Sequence, residues 1–338
     1  MQAIRHFLKL FILAACAAFV QGCATPAYTV TIMAGPGSSA LGLNEHGHTV
    51  GYLDAGGGVQ HAFVNTGGGA TDLGTLGGTN SRAWAINGGG QIAGQSEIAG
   101  GATRAFLYDG GALADLGTLG GADSLARAIN HDGTIVGAAR IASGDWRAFS
   151  YSNGAMANLG TLPSTEKLYS YGYAINKIGQ IGGSSSAGAF AAPEAPQHAF
   201  LRRTSGSMID LGTFGGVYSE TYGINDKGDL VGVAATAELL LNNAFLYADG
   251  VLNDLGNLGG GYAQAYGINN KGQVVGESGG STPWSGFLYQ KGGMVALDTL
   301  VEPGWTITEA RAINDKGQIA ATGCQAGVCY AVRLDPAK

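Results

Sequence analysis

The sequence predicts an all-β chain, a seven-bladed β-propeller of four-stranded blades, on three observations. One unit recurs seven times, at spacings of 43 to 49 residues. Each copy holds four short segments rich in β-branched and aromatic residues and bounded by turn residues. The final copy lacks a strand that the start of the chain has spare.

The recurring mark is an apolar residue followed by Asn, with Gly three residues later: Asn44, Asn87, Asn130, Asn176, Asn225, Asn269 and Asn314. Fixed-period self-similarity of this kind is the signature of a repeat architecture, and about 45 residues matches a blade. The first strand of a unit has the form Ser81 to Asn87, with small residues such as Ala83 and Ala85 suited to a crowded centre. The second follows at once, as in Gly90-Gln91-Ile92-Ala93-Gly94. The third is aromatic, as in Ala105-Phe106-Leu107-Tyr108, and is apolar on both faces. A strand buried on both faces belongs to a sheet sandwiched between neighbours, as blades are. The fourth is of the Ala114-Asp115-Leu116-Gly117 type, and the Leu-Gly-Gly that follows crosses to the next blade. No helical period survives beyond the first residues.

The turns between first and second strands do not vary in length. A calcium array there would need oxygen ligands at fixed places. Gly88-Gly89 and Lys177-Ile178 cannot supply them, so no metal is expected. The seven Asn are read as structural, bonding the turn backbone, with each Gly taking the positive φ. Residues 28–34 stand where a fourth strand belongs, and residues 330–334 form a third strand with no fourth after it. Pairing the two closes the ring, with the first strand of each blade innermost, and makes 28–338 a single domain.

His61-Ala62-Phe63 and His198-Ala199-Phe200, with DLGTLGG at 72–78 and 115–121, resemble the HAF-type extracellular repeats of bacteria. The resemblance spans the chain after its first residues. It implies export and repetition, and it supplies neither an activity nor catalytic residues.

Export is also read from the start of the chain. Arg5, His6 and Lys9 precede a short apolar run from Leu10 to Val20, too short to span a bilayer and of secretory form. Val20-Gln21-Gly22-Cys23 resembles a lipobox. Residues 1–22 are then a lipoprotein signal peptide, Cys23 carries lipid, and 23–27 is a tether at the outer membrane, facing the periplasm or the exterior. A cut after Ala27 is the alternative and would release a soluble protein. Cys16 falls in the removed segment. Cys324 and Cys329 remain, and in an oxidising compartment they are expected to form a disulfide.

Composition narrows function by exclusion. Gly supplies 60 of 338 residues without a period of three, and Pro only eight, which excludes collagen. Apolar residues at 45% exclude a disordered chain. A net charge of −6 with no basic block excludes nucleic acid and anionic lipid as partners. Gly276-Glu277-Ser278-Gly279-Gly280 looks like a protease serine motif, but no triad partners accompany it. No catalytic residue and no cofactor is assigned.

The connections that vary are those between fourth and first strands and between second and third strands, and both open on one face. Two insertions fall there, at 162–171 and 184–197. Aromatic residues gather at the starts of inner strands: Trp84, Tyr169, Tyr171, Tyr218, Tyr222, Tyr262, Tyr266 and Trp305. Mixed with Arg82, Asp123, Glu166, Glu220 and Arg311, they form a candidate surface for a glycan, a peptide or an envelope protein. The chain is expected to be a monomeric, non-enzymatic binding or scaffold module. A polysaccharide hydrolase or lyase with paired carboxylates at the channel mouth is the alternative.

Overall fold

The computed structural model describes residues 26–164, 168–188, 196–204, 206–238, 241–281 and 283–337. The expected signal peptide at 1–22, Cys23, Glu166 and parts of both insertions lie outside them. The fold is all-β, with twenty-eight strands among the described residues.

Strand β1 (Tyr28–Pro36) precedes the first sheet, which runs β2 (Ser39–Leu43), β3 (Thr49–Gly56), β4 (Val59–Asn65) and β5 (Ala70–Asp72). The next holds β6 (Gly77–Ile86), β7 (Ile92–Ile98), β8 (Thr103–Tyr108) and β9 (Ala114–Asp115). It is followed by β10 (Gly120–Ile129), β11 (Ile135–Ile141), β12 (Trp146–Ser152) and β13 (Ala155–Asn158). Then come β14 (Ser170–Ile175), β15 (Ile181–Ser186), β16 (Gln197–Arg202) and β17 (Met208–Asp210). After them run β18 (Gly215–Ile224), β19 (Leu230–Thr236), β20 (Asn242–Ala248) and β21 (Val251–Gly256). Next are β22 (Gly261–Ile268), β23 (Val274–Gly280), β24 (Ser285–Gln290) and β25 (Gly293–Ala296), with a 3₁₀ turn at Leu297–Thr299. The chain ends in β26 (Trp305–Ile313), β27 (Ile319–Gln325) and β28 (Val328–Pro336).

Hydrogen bonding gives four four-stranded sheets and one of twelve strands, which departs from seven separate sheets. The cause is local. A single parallel pair, Gln197 with Tyr218, joins β16 to β18, and another, Asn242 with Tyr262, joins β20 to β22. The first strands also begin earlier than expected, so the Leu-Gly-Gly glycines Gly77 and Gly78 already belong to β6.

The two ends of the chain share one sheet, in the order β1-β28-β27-β26. Tyr28 lies opposite Pro336 and Ile32 opposite Val332, so the pairing extends beyond 28–34 and 330–334. Thr31 and Asp335 add a side-chain hydrogen bond of 3.0 Å. Strands β2, β6, β10, β14, β18, β22 and β26 touch in succession, and β26 touches β2, around a central channel.

The repeated residues have structural work. Phe63, Phe106, Phe149, Phe200, Phe245 and Phe287 have no exposed surface, and burying each ring contributes about 1.5–3 kcal/mol. Each ring has room because the second strand carries Gly: a Cβ at Gly94 would lie 2.2 Å from the Arg82 carbonyl oxygen and 2.5 Å from the Phe106 ring. Ser81 accepts the Ala62 N–H at 2.8 Å and donates to the Gly74 carbonyl, stitching one sheet to the next. Ser124, Ser170 and Ser219 repeat the stitch with Ala105, Ala148 and Ala199. Cys324 and Cys329 are bonded as a disulfide across the β27–β28 hairpin.

Candidate functional site

Each of the seven Asn makes two kinds of contact. Its Oδ1 accepts N–H groups of its own turn: Asn130 takes those of Asp132 and Thr134 at 3.1 and 2.9 Å. The turn Gly, Gly133 in this copy, has φ +79°, a conformation that favours residues without Cβ. The Nδ2 reaches out of the turn and donates to the main-chain carbonyl of the next Asn. Seven such bonds form a closed belt around the channel, with every Asn side chain buried. The belt was invisible in the sequence, where each Asn had a sufficient role within its own turn.

Three residues before each belt Asn, the first strand carries a β-bulge. Residues 83 and 85 face consecutive partners on β7, which leaves Trp84 without one. The same break leaves out Leu41, Arg127, Tyr173, Tyr222, Tyr266 and Arg311. A bulge re-aims the extra side chain, and all seven line a central cavity of about 530 Å³. The bulge also pushes the preceding carbonyl onto the second strand, which is a further reason for Gly there: at Gly137 a Cβ would meet the Leu125 oxygen at 2.0 Å.

Below the bulges, Ile129, Ile175, Ile224, Ile268 and Ile313 border both this cavity and a second one of about 750 Å³ at the turn face. The two cavities thus adjoin along an apolar ring. Among the described residues no group of three or more His, Cys, Asp or Glu is arranged to hold a metal ion.

The aromatic wall is continuous. Tyr171 stacks on Tyr173 with centroids 6.1 Å apart, Tyr173 meets Tyr222 edge-on at 5.4 Å, and Tyr222 meets Tyr266 at 5.4 Å. The Tyr222 hydroxyl donates to Glu220, and that of Tyr266 to Glu277 at 2.6 Å. Burial, reinforced by these carboxylates, pushes both phenols well above their ordinary range, so they remain neutral hydrogen-bonding groups. Burial also raises the Glu277 carboxyl, and the Tyr266 hydrogen bond and Arg311 only partly oppose it.

Of the charged lining residues, Arg311 has an ion pair and Glu220 has neutral donors. Glu220 accepts from Tyr222, Ser184 and Gln197. Arg311 lies over the Tyr266 ring, 3.9 Å from its centroid, and pairs with Glu309 at 2.6 Å. Arg127 differs. Its guanidinium lies 4.1 Å from the Trp84 ring centroid. Its Nε is buried without a hydrogen-bond partner among the described residues. Burial holds its pKa below the usual guanidinium value.

The aromatic residues singled out in the sequence divide into three groups. Trp84, Tyr222 and Tyr266 line the cavity. Tyr171, with Tyr169 behind it at 6.3 Å, continues the wall from Tyr173, and Tyr218 lies beside Glu220, whose charge adds to burial in raising its phenol. Tyr262 packs on Trp284 at 5.5 Å and Trp305 on Tyr330 at 6.2 Å, so the structure does not bring these two into the cavity. Tyr173, Arg127 and Gln264 line it and were not singled out. The signal that finds the first two is their offset of three from a belt Asn.

No family model matches the chain, and no curated protein matches it in sequence. Among solved structures, the chain is similar to a Mycobacterium tuberculosis puromycin-hydrolyzing peptidase, with a TM-score of 0.53 and 12% identity. That match covers 83% of this chain and 49% of the peptidase, so the chain spans about half its length. YCF48 bound to D1 peptide gives a TM-score of 0.52 and 10% identity, over 93% of this chain and 98% of that one. At these identities the likeness is one of fold: the chain is a β-propeller.

Proposed function

We propose that the chain is a ring of seven four-stranded blades of the HAF-repeat kind, and a binding module whose ligand sits in the bulge-lined cavity. The observation that carries this reading is the convergence of seven bulges on one cavity. Six of the seven bulges turn a Trp, Tyr or Arg side chain to the cavity, and the seventh turns Leu41. A cavity of about 530 Å³ lies within the range of small-ligand sites. Its lining includes Glu220 and Gln264, which lie toward the starts of their first strands, the side of the variable connections.

Catalysis on polysaccharide would call for two carboxylates flanking the channel. Glu220 lines the cavity, and Glu277 and Glu309 stand behind it on lining Tyr266 and Arg311. YCF48, a propeller of similar extent, is bound to a peptide; peptide therefore stands beside glycan and envelope protein as a partner class. Export and lipidation of Cys23 belong to the same proposal and rest on the first 23 residues of the sequence.

The test is a panel of glycans and peptides assayed for binding to the purified protein, with chemical analysis of each bound compound afterwards. Binding with the compound recovered intact supports the module. Recovery of cleaved product overturns it in favour of the enzyme.

A further inference from the structure

We propose that Arg127 makes the central cavity a receptor for the carboxylate of an acidic sugar of the uronate type. The sugar ring would lie along the wall of Tyr173, Tyr222 and Tyr266. This deepens the binding reading above and rests on it.

The argument starts from charge. A cation removed from water is costly unless an anion or hydrogen-bond acceptors replace the water. Arg311 has Glu309, and Glu220 has three donors. Arg127 has the Trp84 ring and no hydrogen bond or ion pair among the described residues. The bulge at Ala126 and Ala128 aims it inward. Arg127 is therefore the lining cation with neither a hydrogen bond nor an ion pair, although the Glu220 carboxylate lies near enough to act on it, and its planar fork matches a carboxylate. A phosphate would call for more: a second cation, or a nest of backbone N–H groups. Arg127 is the one unpaired cation in the lining, which selects a singly charged anion.

The rest of the lining selects the body of the ligand. Ring faces alternate with hydrogen-bonding tips at Gln264, Glu220 and the Tyr222 hydroxyl. A pyranose presents C–H groups on one face and hydroxyls at its rim, which suits such a wall better than an aliphatic acid does.

Calorimetric titration of the purified protein with a short galacturonate oligosaccharide and with the neutral galactose oligosaccharide of equal length tests this. We expect the acidic sugar to bind at least about tenfold more tightly, and Arg127→Met to abolish the difference. Equal binding of both sugars by the wild-type protein overturns the carboxylate assignment and leaves the binding module standing. A peptide that binds through its free C-terminus, while neither sugar binds, overturns the choice of sugar. Silence from every compound overturns the binding reading itself. The wild-type comparison of charged with neutral sugar decides the matter even if Arg127→Met folds poorly.

Discussion

The Nδ2 of Asn314 donates to the main-chain carbonyl of Asn44 at 3.0 Å, across 270 residues of sequence. This is the bond that turns a row of six identical contacts into a closed belt. It acts on the inner rim of the ring, while the β1–β28 pairing joins the chain ends. Neither closure depends on covalent linkage between the ends.

Asn314→Ala removes the closing donor and the acceptor for the Lys316 and Gln318 N–H groups. Leaving such buried groups unsatisfied costs about 1–3 kcal/mol. The midpoint of chemical denaturation should fall accordingly. Asn87→Ala should cost a similar amount, since the belt has no privileged member; a much smaller loss at either position would show the belt to be incidental.

Gly137→Ala should destabilise by about 3 kcal/mol, near the upper end for overpacking. The new methyl would sit 2.0 Å from the Leu125 oxygen, on the bulge that aims Arg127. Gly111→Ala meets nothing within 4 Å at an ordinary φ and should change stability by a few tenths of a kcal/mol. Thermal unfolding of the two variants side by side separates close approach from mere glycine content.

Acidification should loosen the closure between the chain ends. Burial alone would raise the Asp335 carboxyl, but hydrogen bonds from Arg333, Gln318 and Thr31, with the Arg333 charge, outweigh it and hold its pKa below the ordinary value. A carboxyl depressed in the folded state lends stability above its unfolded pKa of about 3.9 and loses it as pH falls through the folded value. The loss of stability below about pH 4 should therefore be smaller in Asp335→Asn than in the wild type. Identical pH profiles would show that Asp335 takes no part in it.

Reduction of the Cys324–Cys329 disulfide should lower stability by about 2 kcal/mol, the chain-entropy expectation for a loop this short. The β27–β28 hairpin is already paired through Gln325 and Val328. Far-ultraviolet dichroism should therefore be unchanged by reductant at room temperature; collapse of the spectrum would mean that the bond holds the ring shut.

Much of the architecture was legible because each blade repeats the same local solution. Asn-x-x-Gly identifies a turn from four residues, and the spare strand at 28–34 needs only a count of strands to find its partner. The site was harder to read. A bulge breaks the alternation of faces, so counting by twos along Tyr218, Glu220 and Tyr222 does not reveal that the last of these is re-aimed into the channel. Aromatic content at strand starts was a mixed guide for the same reason: Trp305 and Tyr262 sit above the bulge and find partners in Tyr330 and Trp284. Arg127 escaped notice because its isolation is a property of three-dimensional neighbours. The joining of three sheets into one rests on single residue pairs, which no strand pattern encodes.

The central claim is that recognition happens in the bulge-lined cavity, and the measurement that meets it most directly is binding by Trp84→Leu against the wild type. Trp84 lines the cavity beneath Arg127, and leucine keeps apolar bulk at the position. Using whichever compound the panel yields, the account predicts affinity at least about tenfold weaker with the far-ultraviolet spectrum of the folded protein unchanged, while loss of the Arg127 ring contact and of the Gln95 hydrogen bond lowers the unfolding midpoint. Undiminished affinity in Trp84→Leu would contradict it and move the site to another surface of the propeller.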